Sequence, residues 1–240
     1  MTIALLTAAG SGNRMNQDIP KQFMSIDNIP VIIFTMMAFQ RHPEVDAIAV
    51  VCLKGWEVFL DSYAKQFGVT KLRWIFEGGD SNQESICNGV RGLAAAGCSP
   101  EDIVLVQDGV RPLVDKRIIS DNIEACRKHG CAVTGLVCKE AIMREEGGMV
   151  GDIEYTREEL IRTQTPHTYH LKTLVRAHEI ADEKGITGTI ASCTLVAKTG
   201  IAEKQYLVTG SERNGLKLTR PEDIEIFKAM IHARKEEWMP

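Results

Sequence analysis

The chain has 240 residues, a length that suits a single α/β domain. Apolar residues make up 44% of it and charged residues 25%, which is ordinary for a globular protein, and no apolar stretch approaches the 18 residues of a membrane span. The formal net charge of −4 excludes a global basic field, so we expect neither nucleic acid nor an anionic membrane as a partner. Local basic side chains must therefore hold any anionic ligand.

Short apolar runs alternate with amphipathic segments along the chain. The apolar runs have the look of buried parallel strands, at residues 2–7, 46–53, 71–76, 103–107 and 132–138. Helical periodicity fills the gaps, at about 30–41, 56–67, 83–97, 116–129 and 171–184, and a last helix begins at Pro221 and runs to about 235. This alternation predicts an α/β fold with a mostly parallel, Rossmann-like sheet and helices on both faces.

One segment interrupts the alternation. Residues 139–162 are polar and rich in turns, with glycines at 147, 148 and 151, which predicts a protruding β-hairpin arm. We find no long linker and no internal repeat, so residues 1–240 are predicted to form a single domain carrying this arm.

Seven cysteines are present, an odd number, and none forms a Cys-x-x-Cys pair. Most lie in apolar surroundings and are predicted to be buried, reduced thiols, which fits a reducing cytoplasm. The N-terminus lacks a basic region, and Gly10 breaks its apolar run, so it does not look like a signal peptide. We therefore expect a cytoplasmic protein.

A glycine-rich loop follows the first strand. Residues 8–15 read Ala-Ala-Gly-Ser-Gly-Asn-Arg-Met, and residues 20–23 read Pro-Lys-Gln-Phe. Glycine lets backbone N–H groups approach a phosphate closely, and Arg14 and Lys21 can neutralise a triphosphate. A turn with solvated charges is the plainer interpretation of Gly-x-Gly alone.

Two common nucleotide motifs do not match this loop. A dinucleotide-binding loop needs a third glycine where this chain has Met15, which disfavours a nucleotide-dependent oxidoreductase. The Gly-Lys-Ser/Thr ending of a P-loop is also missing. The loop instead suits a nucleoside triphosphate that is attacked at its α-phosphorus, because fixed cations stabilise the charge that gathers there.

The whole stretch from Ala8 to Phe23 resembles the signature of the cytidylyltransferases that act on 2-C-methyl-D-erythritol 4-phosphate or ribitol 5-phosphate. The resemblance extends over about residues 2–230. It implies that CTP and a small phosphorylated polyol are the partners, that CMP is transferred while pyrophosphate leaves, and that Mg²⁺ or another divalent cation is the cofactor. It also implies a homodimer formed through the arm.

The resemblance assigns roles to the motifs that follow the other strands. The implied catalytic cations are Arg14, Lys21 and Lys217, and the implied metal ligand is Asp108. The implied nucleotide-binding residues are Ala8, Ala9, Gly10, Ser11, Gly12, Gly79, Asp80, Ser85 and Gly109. The implied acceptor-binding residues are Arg111, Arg157 and Thr165. In the family, the arginine and threonine that match Arg157 and Thr165 contact the acceptor phosphate, often from a neighbouring subunit. From the residues alone, the turn at 78–81 is equally a helix cap, with Asp80 or Ser81 as the N-cap residue.

The resemblance fades where the acceptor binds. Methylerythritol-phosphate enzymes carry an Asp-Thr pair where this chain has Glu140-Ala141. They carry a Thr-Asp-Asp or Thr-Asp-Glu stretch where it has Ile190-Ala191-Ser192-Cys193, which contains no carboxylate. The family often has arginine at Asn82, and histidine is usual at Gln107. We favour ribitol 5-phosphate or a similar polyol phosphate as the acceptor, with methylerythritol phosphate as the alternative. A non-catalytic nucleotide-binding module is the alternative of another class.

Overall fold

The computed structural model describes residues 1–10 and 19–233. Its strands are β1 (Thr2–Ala8), β2 (Ser25–Ile26), β3 (Ile29–Pro30), β4 (Ala47–Cys52), β5 (Leu72–Glu77), β6 (Ile103–Asp108), β7 (Cys131–Val137), β8 (Arg144–Glu146), β9 (Met149–Gly151), β10 (Ile161–His170) and β11 (Leu207–Thr209). Its α-helices are α1 (Val31–Gln40), α2 (Glu57–Gln66), α3 (Asn82–Ala95), α4 (Lys116–His129), α5 (Leu171–Lys184), α6 (Ser192–Thr199), α7 (Glu212–Gly215) and α8 (Pro221–Ala233). Single turns of 3₁₀ helix lie at Lys21–Phe23 and Arg157–Glu159.

Seven strands form one twisted sheet in the order β11-β7-β10-β6-β1-β4-β5. The pairs β6–β1, β1–β4, β4–β5 and β11–β7 are parallel. The predicted mostly parallel α/β fold is confirmed, and each predicted apolar run lies in a strand of this sheet. The strands β6, β1 and β4 are buried on both faces, which explains their continuous apolar sequences.

The two faces of the sheet support two separate apolar layers, because side chains alternate along each strand. Ala4 and Leu6 of β1 pack with α1, α4 and α8. Ile3 and Leu5 of the same strand pack with α3, α5 and α6. The helices therefore cover both faces, as the sequence predicted.

Strand β10 runs antiparallel between β6 and β7 and was not predicted. Its sequence, Ile-Arg-Thr-Gln-Thr-Pro-His-Thr-Tyr-His, has no apolar run and contains a proline, so it lacks the usual marks of a central strand. The ladder with β7 skips from Thr163 to His167, which leaves Pro166 outside regular pairing. The short elements β11, α6 and α7 were also missed.

Buried hydrogen bonds compensate for the polar sequence of β10. The Asn122 amide of α4 donates to Thr134 Oγ1 of β7 over 2.8 Å, and Asn122 Oδ1 accepts from Thr168 Oγ1 over 3.2 Å. Thr134 Oγ1 donates to the Pro166 carbonyl over 2.7 Å. All three polar side chains are fully buried. This cluster joins α4, β7 and β10, and it makes a polar strand tolerable in the core.

The predicted arm is present as the hairpin of β8 and β9, with its turn at Gly147 and Gly148, both at positive φ. All seven cysteines are buried and unpaired. Burial raises the pKa of Cys52 and of Cys126 to about 12, so both are unreactive thiols. Among the described helices, none is both long enough and apolar enough to cross a membrane.

The buried polar cluster predicts a stability effect. Replacing Asn122 by alanine leaves Thr168 and Thr134 without their shared partner, so Asn122→Ala is expected to lower the free energy of unfolding by about 1–3 kcal/mol. Urea denaturation measures it. The matched control is Asp121→Ala, which removes an exposed ion pair with Arg117 and should change stability by at most about 0.5 kcal/mol. Equal losses in the two variants would contradict the role of the cluster.

Candidate active site

Two adjoining cavities lie at the carboxyl edge of the parallel strands. The loop cavity, of about 380 Å³, is lined by Thr7, Ala8, Ala9, Gly10, Lys21, Gln22, Leu53, Gly79, Asp80, Ser81, Asn82, Ser85, Asp108, Val110 and Lys217. The inner cavity, of about 220 Å³, is lined by Thr7, Asn82, Ile86, Val106, Gln107, Asp108, Arg111, Thr163, Gln164, Thr165, His167, Ile190, Ala191, Ser192 and Lys217. Both include Thr7, Asn82, Asp108 and Lys217, which form the wall between them. Parallel sheets bind ligands at this edge.

Asp108 lies at the centre of this shared wall, at the end of β6. Its Oδ2 is 2.9 Å from Nε of Arg111 and 3.0 Å from Nζ of Lys217. Burial alone would raise the pKa of Asp108, but the positive charges of Lys217 and Arg111 and their hydrogen bonds outweigh it and hold the pKa below 3.8. The carboxylate is therefore ionised at neutral pH, and one anion orients two cations.

The loop cavity gathers most of the residues predicted to bind the nucleotide. Ala8, Ala9, Gly10 and Lys21 line it from the first strand and the following loop. Ser11, Gly12 and Arg14 lie outside the described residues, and their roles stay predictions. Gln22, which we had not assigned, is buried and donates to the carbonyls of Ala8 and Gly10 over 2.8 and 3.0 Å. It ties the end of β1 to the turn that carries Lys21, and its place in the Pro-Lys-Gln run was the available signal.

The turn at residues 78–81 lines the same cavity and also caps α3. Ser81 is the N-cap residue, accepting from the Glu84 N–H over 3.1 Å, and Glu84 accepts from the Asp80 N–H over 2.8 Å. Ser85 Oγ accepts from the Gly79 N–H over 3.1 Å. A Cβ on Gly78 would lie 2.2 Å from the Cβ of Ala9, so only glycine lets this turn pack against the first loop. The structure thus brings Gly79, Asp80 and Ser85 to the predicted side of the site.

Gly109 has a packing role in the structure. A Cβ at this position would lie 2.7 Å from Cδ1 of Ile32 and 2.8 Å from the carbonyl oxygen of Thr7. Its own carbonyl accepts from Thr35 Oγ1 of α1 over 2.9 Å. Gly109 lines neither cavity, whereas its neighbours Asp108 and Val110 do. The close approach fixes the chain immediately after Asp108.

Two of the three residues predicted to bind the acceptor line the inner cavity. Thr165 Oγ1 accepts from the backbone N–H of Asp108 over 3.1 Å, and Arg111 donates to the carbonyl of Gly215 over 2.7 Å. Arg157 lines neither cavity. It lies on the exposed 3₁₀ turn beyond the arm and pairs with Glu158 over 2.8 Å.

Buried amides hold the segment that carries Lys217. Gln164 donates to the carbonyl of Ser211 over 2.9 Å and accepts from the Asn214 amide over 3.0 Å. Asn214 also donates to the carbonyl of Thr165 over 2.9 Å. A Cβ on Gly210 would lie 2.2 Å from Gln164 Oε1, so the packing is tight. Sequence reasoning assigned no role to Gln164 or Asn214, although Gln164 directly precedes Thr165 and Asn214 lies shortly before Lys217.

The described residues contain no cluster of three or more histidine, cysteine, aspartate or glutamate side chains that could hold a metal ion. Asp108 is the one carboxylate in the wall between the cavities. A single carboxylate together with substrate phosphates is a usual way to bind Mg²⁺. The donor set therefore fits a cation that is shared with a phosphorylated ligand.

Comparison with known proteins gives full-length relatives. A ribitol-5-phosphate cytidylyltransferase of Lacticaseibacillus paracasei is 36% identical, covering 98% of this chain and 100% of its own. A 2-C-methyl-D-erythritol 4-phosphate cytidylyltransferase of Acidobacterium capsulatum is 35% identical, covering 96% and 97% of the two chains. The crystal structure of the 2-C-methyl-D-erythritol 4-phosphate cytidylyltransferase of Thermus thermophilus superposes with a TM-score of 0.74 at 25% identity, over 97% of this chain and 100% of its own.

The family described as "IspD: 2-C-methyl-D-erythritol 4-phosphate cytidylyltransferase" matches residues 2–233, nearly the whole chain. The resemblance read from the glycine loop is thereby confirmed over the same span. With the fold, the two cavities and the relatives in agreement, the chain belongs to this cytidylyltransferase family.

Proposed function

We propose that this protein is a CTP-dependent cytidylyltransferase that couples CMP to the phosphate of a small polyol and releases pyrophosphate. The observation that carries the proposal is the wall shared by the two cavities, where Asp108 and Lys217 face both. A nucleotide in the loop cavity and a phosphorylated acceptor in the inner cavity meet there. The match of the family over residues 2–233 supports the same chemistry.

The reaction joins two phosphates. An oxygen of the acceptor phosphate attacks the α-phosphorus of CTP, a new P–O–P bond forms, and the bond to the β-phosphate breaks with departure of pyrophosphate. A phosphate monoester is already anionic at neutral pH, so no strong general base is needed. Catalysis rests on positioning and on charge stabilisation by Lys21 and Lys217, together with Arg14 from the glycine loop. The ion pair with Asp108 orients Lys217 beside the transferred group.

Mg²⁺ is the proposed cofactor, bound by Asp108 together with the CTP phosphates. When bound, it neutralises phosphate charge and polarises the α-phosphate. The support is electrostatic, because the lowered pKa of Asp108 keeps this carboxylate ionised and ready as an oxygen ligand.

Ribitol 5-phosphate is the proposed acceptor. It is the substrate named for a relative at 36% identity, and the altered positions Glu140-Ala141 and Ile190-Ala191 depart from the methylerythritol-phosphate pattern. Methylerythritol 4-phosphate stays the alternative, since a relative named for that substrate is 35% identical. The seven buried, unpaired thiols support a reducing compartment, and we propose the cytoplasm.

The function is tested by pyrophosphate release with CTP and Mg²⁺ against ribitol 5-phosphate, methylerythritol 4-phosphate and glycerol 3-phosphate. We expect the highest kcat/KM with ribitol 5-phosphate. A higher kcat/KM with methylerythritol 4-phosphate would identify that compound, the alternative, as the acceptor. Nucleotide binding without pyrophosphate release on any of the three would favour a non-catalytic module.

The proposed roles of Lys21 and Lys217 predict that turnover falls when either side chain is truncated. Lys21→Ala and Lys217→Ala are each expected to lower kcat by at least ~100-fold, the scale of removing one preorganised stabilising donor. Steady-state pyrophosphate release measures it. Lys204→Ala, at an exposed position outside both cavities, is the matched control and should leave kcat unchanged. Near-normal turnover in Lys21→Ala or Lys217→Ala would exclude that lysine from the chemistry.

The assignment of Asp108 predicts an altered metal dependence. Asp108→Asn keeps the size of the side chain but removes the charge, so the Mg²⁺ concentration for half-maximal rate is expected to rise at least ~10-fold and kcat to fall. Titrating Mg²⁺ at saturating CTP measures both. A fall in kcat with an unchanged Mg²⁺ requirement would show that Asp108 acts only by orienting Arg111 and Lys217.

A homodimer formed through the arm is also proposed. The arm exposes several large apolar side chains, which is typical of a protein interface: Ile142, Met143, Met149, Val150 and Tyr155. Met149 and Val150 are 77% and 65% exposed. Arg157 lines neither cavity of its own chain, and in the proposed dimer it would act on the acceptor of the other subunit, as the family resemblance implies.

The proposed dimer can be tested by introducing negative charges into the arm. Met149→Glu combined with Val150→Glu is expected to convert a dimer into monomers in sedimentation velocity. Both this double variant and Arg157→Ala are expected to raise the acceptor KM. The control is Val58→Glu, a similarly exposed apolar residue on α2. A wild-type monomer, or a dimer that persists in the double variant, would contradict the proposal.

A further inference from the structure

The inner cavity contains an unusual set of polar atoms. Within the described residues, buried side-chain atoms without a hydrogen-bond partner include Gln107 Oε1, His167 Nε2 and Ser192 Oγ, and all three residues line this cavity. These side chains are at most 2% exposed. Each unpaired buried polar group costs about 1–3 kcal/mol, so native proteins pair nearly all of them. Three such residues around one cavity mark it as a site where a bound polar molecule would complete their hydrogen bonds.

Two of the three atoms are hydrogen-bond acceptors. The amide of Gln107 donates through Nε2 to the Arg111 carbonyl over 3.2 Å, which leaves Oε1 to accept. Burial lowers the pKa of His167 to about 4, so the ring is neutral and carries one proton. We assign that proton to Nδ1, because the ring hydrogen-bonds to the backbone of Gln164 while Nε2 is unpaired. The hydroxyl of Ser192 can accept or donate.

The inner cavity therefore has two chemically distinct parts, one cationic and one lined by hydrogen-bond acceptors. Arg111 and Lys217, beside Asp108, offer cations for a phosphate. Acceptor atoms such as Gln107 Oε1 and His167 Nε2 suit neutral O–H donors and repel an anion. We propose that Gln107, His167 and Ser192 form a subsite that binds the hydroxyl groups of the acceptor's polyol chain and selects for them. This inference rests on the proposed function, and it specifies which groups of the acceptor the protein recognises.

The subsite lies beside an apolar part of the cavity lining. Ile190 and Ala191 form this part. The Asn82 amide donates to the Ile190 carbonyl over 3.0 Å and fixes this wall. Polar recognition is supplied instead by the ends of β6 and α6 and by β10.

The test combines enzyme variants with acceptor analogues. Ser192→Ala and His167→Leu are expected to raise the KM for ribitol 5-phosphate about 3–10-fold for each neutral hydrogen bond lost, with the KM for CTP unchanged. For an analogue of ribitol 5-phosphate that lacks the contacted hydroxyl, the same substitutions should not raise the acceptor KM further, because the hydrogen bond is already absent in the wild type. His167→Gln, which keeps an acceptor atom, should recover part of the affinity.

The controls separate recognition from folding. His178→Leu is the matched variant, since His178 Nε2 is also buried and unpaired and its pKa is also lowered to about 4 by burial, but it lies on α5 outside the cavity. It should leave both KM values unchanged. Thermal melts and calorimetric titration of ribitol 5-phosphate into Ser192→Ala give readouts that do not depend on turnover.

The outcomes are distinct. Wild-type activity on a polyol phosphate, with unchanged acceptor KM and affinity in folded Ser192→Ala and His167→Leu, overturns the subsite and leaves the proposed function intact. An equal loss on the full acceptor and on every deoxy analogue also overturns it, because the residues would then act structurally. Absence of pyrophosphate release and of acceptor binding in the wild type overturns the proposed function and the subsite together.

Discussion

The carboxylate of Asp108 is the group on which the arrangement of the site depends. It ends a buried strand, accepts from Arg111 and Lys217, and keeps its charge because these two cations outweigh the cost of burial. Removing one member of such a group leaves the others without compensation. The surrounding residues hold this cluster of charges in place. Thr165 accepts from the backbone N–H of Asp108, Gly109 fixes the chain beyond it, and Gln164 and Asn214 hold the segment that leads to Lys217.

The position of β10 makes this convergence possible. The parallel strands bring their carboxyl ends to the site, whereas the antiparallel strand between β6 and β7 brings residues from its middle, between Thr163 and His167, to the same cavity. Thr165 and His167 reach the inner cavity in this way. The strand is polar because it serves the site, and the hydrogen bonds of Asn122 and Thr134 stabilise it inside the core. Function thus takes precedence over strand propensity here.

The conflict between strand propensity and the needs of the site also determines what could be predicted from the sequence. Apolar runs such as those of β1, β4 and β6 report burial directly, so five strands of the sheet were predicted. The helices between them followed from their periodicity, and the arm followed from its turn residues. The loop around Gly10 and the motif at Asp108 follow such strands, so their meeting at one edge was predictable as well. Strand β10 gave no periodic signal. The unpaired atoms of Gln107, His167 and Ser192 depend on which partners each side chain meets in three dimensions, and local sequence does not contain that information.

The wall shared by the two cavities has a thermodynamic consequence. Thr7, Asn82, Asp108 and Lys217 face both spaces, so a ligand in one cavity alters the charge and geometry presented to the other. Any free energy by which the nucleotide strengthens acceptor binding must be matched by an equal strengthening of nucleotide binding by the acceptor. The nucleotide and the acceptor proposed for these cavities would therefore be coupled through the four shared residues, without any movement of domains.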